Sequence, residues 1–192
     1  MFSSGGKATW QPVAAAVVAA AFLMLSRPLC GWAQTDSQEY MVKAAFLYNF
    51  TKFVEWPQGT FEDPSAPFVL AVLGEDPFGE ALAPLKEKTV EGRRVVIQRA
   101  ARLEDLEKCQ ILFISASEKG KLEPIFRRIK NWKVLTVGET KGFAQSGVMI
   151  NLTKIEEKVG FEINAGAVEA GALKMSSKLL KLGIIVGSQT AQ

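Results

Sequence analysis

Gly74 and Gly79, separated by four residues, follow an apolar run and precede a helical pattern. That spacing suits a loop whose backbone N–H groups cradle phosphate. Such a loop needs a cation directly after it, and Glu80-Ala81 stand there instead. Glu75 and Asp76 lie inside the loop and repel an anion, so an ordinary strand-to-helix turn is the favoured reading. Open α/β sheets bind ligands at the carboxyl ends of their strands. Gly74, Gly79 and Gly138 are therefore the candidates for a small-molecule loop. Ser115 and Ser117 follow another apolar run, but a serine nucleophile needs a base, and the chain has no histidine. Helix capping accounts for them better. The missing imidazole also removes histidine metal ligands and histidine acid–base catalysis. Glu104, Asp105 and Glu107 are clustered acids whose spacing alone makes neither a metal site nor a catalytic pair. No metal, no cofactor and no enzymatic activity is expected.

The remaining chemistry is that of surfaces. Lys174, Lys178 and Lys181 share one side of a helical wheel. This basic stripe suits an acidic partner, anionic lipid or plain solvent. Before them, the N-terminus reads as an export signal over residues 1–33. Lys7 supplies a positive start, Val13 to Leu25 an apolar run, and Gly31-Trp32-Ala33 the small residues for cleavage before Gln34. The apolar run is short for a membrane span, which needs about 20 residues. A retained anchor is the competing reading. Lipidation of Cys30 is a third, disfavoured by Arg27-Pro28-Leu29 ahead of it. Cleavage would remove Lys7 and Arg27, leaving 21 basic residues against 20 acids. So balanced a chain gives nucleic acid no support as a partner. It would also remove Cys30, leaving Cys109 as a buried apolar residue or a redox-sensing thiol.

Residues 34–192 then form a single domain. Glu39 to Pro57 holds no glycine and only a terminal proline, and reads as one helix. Val42, Phe46, Leu47, Phe50, Phe53 and Val54 make its apolar arc. Lys43 falls inside that arc and is expected to snorkel to its edge. The continuous apolar run at 68–73 reads as a buried strand, and 93–98, 109–114 (apolar throughout its centre) and 133–137 read as three further strands. Helices are expected at 78–85, 119–130 and 165–170, the last opened by Asn164. Residues 148–152 and 159–163 read as a hairpin, and 173–184 as a last amphipathic segment. The pattern implies an α/β layered domain, with a mixed, mostly parallel sheet, helices on both faces and a C-terminal antiparallel hairpin.

The segments KAAFLYNFTKFVEWP at 43–57, VLAVLGEDPFG at 69–79, CQILFIS at 109–115, GFAQSGVMINL at 142–152 and VGFEINAGAVEAGALKMSSKLLKL at 159–182 resemble the YfiR-like family. The resemblance implies an exported, periplasmic, non-enzymatic regulator that is often a homodimer. Its best-known member inhibits an inner-membrane diguanylate cyclase, the source of cyclic-di-GMP, by protein–protein contact with the enzyme's periplasmic part. An outer-membrane lipoprotein relieves that restraint. The family contributes no catalytic residues. For the partner-binding surface, Tyr48, Glu55 and Trp56 on the first helix and Phe143 in the 142–147 loop are the candidates, as apolar or charged residues expected at the surface. The alternative is a periplasmic small-molecule-binding protein using the strand-end loops.

Overall fold

A computed structural model describes residues 32–187. The predicted export segment lies almost wholly outside them. In chain order the elements begin with α1 (Trp32–Phe50), β1 (Val54–Glu55) and β2 (Phe68–Leu73). A 3₁₀ segment, Gly79–Glu87, precedes β3 (Thr89–Val90) and β4 (Arg93–Ala100). After β5 (Ile111–Ile114) come α2 (Leu122–Ile129) and β6 (Leu135–Gly138). The chain closes with β7 (Ile150–Ile155), β8 (Lys158–Asn164), α3 (Ala165–Ala170), β9 (Lys174–Met175), α4 (Ser177–Leu182) and β10 (Ile184–Val186).

Eight strands form one sheet in the order β10-β8-β7-β6-β5-β2-β4-β3. Only β7–β8 and β3–β4 pair antiparallel, so the sheet is mixed and mostly parallel. The α/β layered reading holds. Side chains alternate between faces along β2: Leu70 and Val72 enter one core layer, Ala71 and Leu73 the other. α1, α3 and α4 cover the first layer, and α2 with the 143–148 loop covers the second. Rings lock α1 to the sheet, with Phe46 and Phe50 edge-on to Phe161 at 5.6 and 5.3 Å. Such pairs add about 1 kcal/mol beyond the area they bury.

Several boundaries differ from the sequence pattern, each for a local reason. The first helix ends at Phe50, short of Pro57. The N–H groups of Thr51, Lys52 and Phe53 turn back to carbonyls three residues earlier, which tightens and closes the helix. The Ser176 N–H then takes the Phe53 carbonyl at 2.8 Å and draws the chain onto β9. Val42 is 45% exposed, so the buried stripe runs instead through Lys43, Ala44, Leu47 and Phe50. The segment expected as a helix at 78–85 is 3₁₀, because Pro84 inside it has no N–H to give. Gly120, at φ +90°, separates α2 from the Ser115–Lys119 turn. The last segment is no single helix: β9, α4 and β10 divide it, with Ser176 capping α4 through the Leu179 N–H at 3.3 Å.

The β7–β8 hairpin is longer than its apolar pattern. Its strands run on to a two-residue turn, Glu156-Glu157, at φ +48° and +62°. That conformation costs a residue with a Cβ about 1 kcal/mol or more, and two carboxylates side by side add repulsion. Glu157→Gly is expected to raise stability by about 1 kcal/mol. A thermal melt showing no rise would mean that the turn is unstrained.

Candidate partner-binding surface

At the carboxyl ends of the parallel strands, where a ligand loop was expected, neighbouring loops pack closely on Gly74 and Gly138. Gly74 takes φ +90° and packs against Ser117 and Glu118 so closely that a Cβ would collide with Ser117 Oγ and approach Glu118 Cγ to 2.9 Å. The Glu75 N–H donates to Ser117 Oγ at 3.0 Å, which fastens the two loops together. Asp76 turns inward to accept the Phe78 N–H at 2.8 Å and pairs with Arg99 at 2.6 Å. Gly79 has open space around it. Gly138 lies under the ring of Phe143, within 2.5 Å of where its Cβ would be.

The expectation of a surface Phe143 is therefore corrected: it is 3% exposed and belongs to the second core layer. The Gly138 backbone leaves room for its ring, and the ring takes that space instead of solvent. Its edge forms part of a cleft of about 570 Å³ with Phe126, Ser146, Lys119 and Lys141.

The same end of the sheet holds a charge network that sequence reading missed. Lys43 is 7% exposed and does not snorkel. Its ammonium donates to Glu139 at 2.7 Å and to Glu39 at 2.7 Å, and lies 4.4 Å from the Tyr40 ring centre. The Tyr40 hydroxyl donates to the second Glu139 oxygen at 3.2 Å, and Lys154 reaches Glu39 at 3.0 Å. Burial works against the Lys43 charge, but Glu139 and Glu39 outweigh it and hold its pKa above the ordinary lysine range. The hydrogen bond from Lys43 lowers the Glu39 carboxyl. Burial, with Glu139 adding, raises the Tyr40 phenol. A lysine set within an apolar arc was the available signal. Its partner stands 96 residues away.

Tyr48, Glu55 and Trp56 fall on different surroundings. Tyr48 donates its hydroxyl to the Thr89 carbonyl at 3.1 Å and so caps the edge strand β3. Trp56 is half-buried, edge-on to Phe68 at 5.1 Å. Glu55 is exposed, on β1 rather than on a helix, and stands opposite Lys174 of β9. Beside this ribbon Leu173, Met175, Val168 and Leu180 wall an apolar cleft of about 410 Å³, with Glu169 and Lys174 among its lining. Glu55, β9 and this cleft make the best candidate for contact with another protein: apolar walls with charges of both signs close by.

Cys109 is 3% exposed, and burial pushes its thiol up to about 12. At pH 8 only about one molecule in ten thousand would carry the reactive thiolate. We expect no modification by a thiol reagent in the folded protein and full modification in denaturant. Rapid labelling of the native state would contradict this. A redox-sensing role finds no support in so inert a group. Among the described residues, no cluster of three or more His, Cys, Asp or Glu could hold a metal. Nor is any described helix long and apolar enough to cross a membrane.

The sequence model of the YfiR/HmsC-like family matches residues 40–184. The chain belongs to that family. YfiR/HmsC-like proteins are periplasmic regulators of cyclic-di-GMP signalling, regulatory rather than catalytic. No curated protein matches the sequence. Among solved structures, an ABC domain from Streptococcus pneumonia in complex with L-Trp is similar in fold, with a TM-score of 0.52 at 7% identity over 77% of this chain and 60% of that one. A conserved domain protein from Vibrio cholerae O1 biovar El Tor is similar at a TM-score of 0.50 and 11% identity, over 76% of this chain and 59% of the other. The chain spans about 60% of each. These likenesses concern the fold alone.

Proposed function

We propose that this YfiR/HmsC-like protein is a periplasmic binding protein that inhibits an inner-membrane diguanylate cyclase through contact with the enzyme's periplasmic part. The observation that carries the reading is the family match over 40–184, which spans the whole sheet except the end of β10. The apolar cleft beside Glu55 and Lys174 supports it as a surface for protein contact. The protein would bind one conformation of the cyclase and draw its population away from the active form. Export through cleavage of residues 1–33, homodimerisation, and release by an outer-membrane lipoprotein belong to the same proposal.

Crosslinking in intact cells with a tagged, exported copy tests it. The expected capture is an inner-membrane diguanylate cyclase, and deletion of the gene is expected to raise cyclic-di-GMP. A folded periplasmic bait that captures no membrane protein, with cyclic-di-GMP unchanged on deletion, would refute the reading. A second reading, small-molecule binding, draws on the cleft beside Phe143, which Phe126, Lys119, Glu123 and Lys141 also line. It predicts a ligand-induced rise in melting temperature that a bulky substitution at Ser146 removes.

A further inference from the structure

The two edges of the main sheet are treated differently. At one edge β3 is two residues long, and Tyr48 occupies the Thr89 carbonyl. The rest of that edge, β4, carries Arg93, Arg94 and Arg99. Arg99 is tied to Asp76 and to the Gly79 carbonyl, and the Val95 N–H is taken by Lys88. Charge and covering segments are how proteins keep a sheet edge from pairing.

At the other edge, among the described residues, β10 pairs with β8 on one side only. Its three residues are Ile, Ile and Val, with no charge and no proline. Ile184 is 48% exposed, Ile185 52%, and Leu182 just before them 69%. Successive strand residues face opposite sides, so both faces of this edge are apolar and wet. From Leu173 to Gly187 the chain carries Lys174, Lys178 and Lys181 and no acid. Lys174 has Glu55 opposite it, and Glu162, beside Ile184, is engaged by Asn151 at 3.1 Å. Among the described residues neither Lys178 nor Lys181 makes an ion pair.

We propose that β10 is the docking edge for an extended segment of another protein, apolar along its length and bearing carboxylates at the end beside α4. An added strand would take the open backbone groups of β10 and continue the apolar layers of Ile184 and Ile185. The carboxylates would meet Lys178 and Lys181. The alternatives satisfy less. A second copy of this chain brings the same acid-free segment to the joint and leaves both lysines unmatched. An anionic bilayer matches the lysines but offers no strand to the β10 backbone.

The proposal rests on the regulatory-binding reading, yet its test needs no cyclase, so either can fail without the other. The protein is purified from the periplasm of cells expressing the full chain. The probe is a short fluorescent synthetic peptide of two glutamates followed by alternating valine and isoleucine. Saturable binding is expected, with slowed amide hydrogen exchange at residues 184–186. Ile185→Lys should abolish binding, and K178E/K181E should weaken it about tenfold while favouring a peptide led by two lysines. Equal binding by all three proteins would overturn the proposal. So would a concentration-dependent dimer lost in Ile185→Lys without peptide binding, which would assign the edge to a second copy. Flotation with phosphatidylglycerol vesicles in the absence of peptide binding would assign it to the membrane. Circular dichroism and melting of each variant establish that it is folded.

Discussion

Lys43→Met is expected to lower stability by about 3 kcal/mol, or about 6–12 °C in melting temperature for a domain of this size. Methionine keeps most of the aliphatic stem, so the loss reports the charge and not a cavity. The variant leaves Glu139 buried with only the Tyr40 hydroxyl as partner, and Glu39 with only Lys154. An unpaired buried carboxylate is the costly product. Adding Glu139→Leu to Lys43→Met should restore part of the loss, because removing both partners removes the desolvation cost as well. A double variant as weak as the single one would mean that Lys43 acts through packing.

The pH profile gives an independent readout. The folded pKa of Glu39 lies below its ordinary 4.5. Its contribution is therefore present above pH 4.5 and is lost as pH falls through the folded value. The folded pKa of Lys43 lies above 10.5, so its contribution is present below pH 10.5 and is lost as pH rises through the raised value. The gap in melting temperature between the native protein and Lys43→Met should be widest between these limits and narrow outside them. A gap independent of pH would contradict the electrostatic account.

Gly74→Ala is expected to cost about 3 kcal/mol. Its φ of +90° penalises any Cβ, and the added methyl meets Ser117 and Glu118 in the loop that closes the strand ends. Backbone strain of this kind costs about 1 kcal/mol or more, and overpacking a further 1–3, roughly. Gly92→Ala is the control. Gly92 has φ +78° with open space around it, so alanine there carries the strain without the collision. The difference between the two melts isolates the contact between the loops. Equal costs would mean that the Ser117 loop yields freely to the added methyl.

What the sequence reveals is what neighbours in the chain decide. Phe68–Leu73 and Ile111–Ile114 are legible as strands because both faces are buried and the residues are apolar without a break. Asn164 is legible as a cap because it must accept from the Ala167 N–H only three residues on. The candidate surface is less legible because distant partners decide it. Phe143 is apolar in a glycine-flanked loop, which reads equally as an exposed anchor or a plug; the bare backbone of Gly138 makes it a plug. Tyr48 looks like an interface tyrosine until Thr89 accepts its hydroxyl. The first helix could not reveal its own end, since the β1–β9 pairing that takes over at Val54 comes from more than a hundred residues later.

The burial of Cys109 reaches beyond reactivity. No disulfide holds the described domain together; it relies on two apolar layers about one sheet. Its maturation therefore need not wait on thiol oxidases or isomerases, and once folded it is indifferent to swings in the oxidising power of its surroundings. With the one native thiol of the described domain chemically silent, a cysteine placed at Glu55 or Ile185 would be the reactive one. The two surfaces could then be mapped by attachment chemistry without first altering the interior.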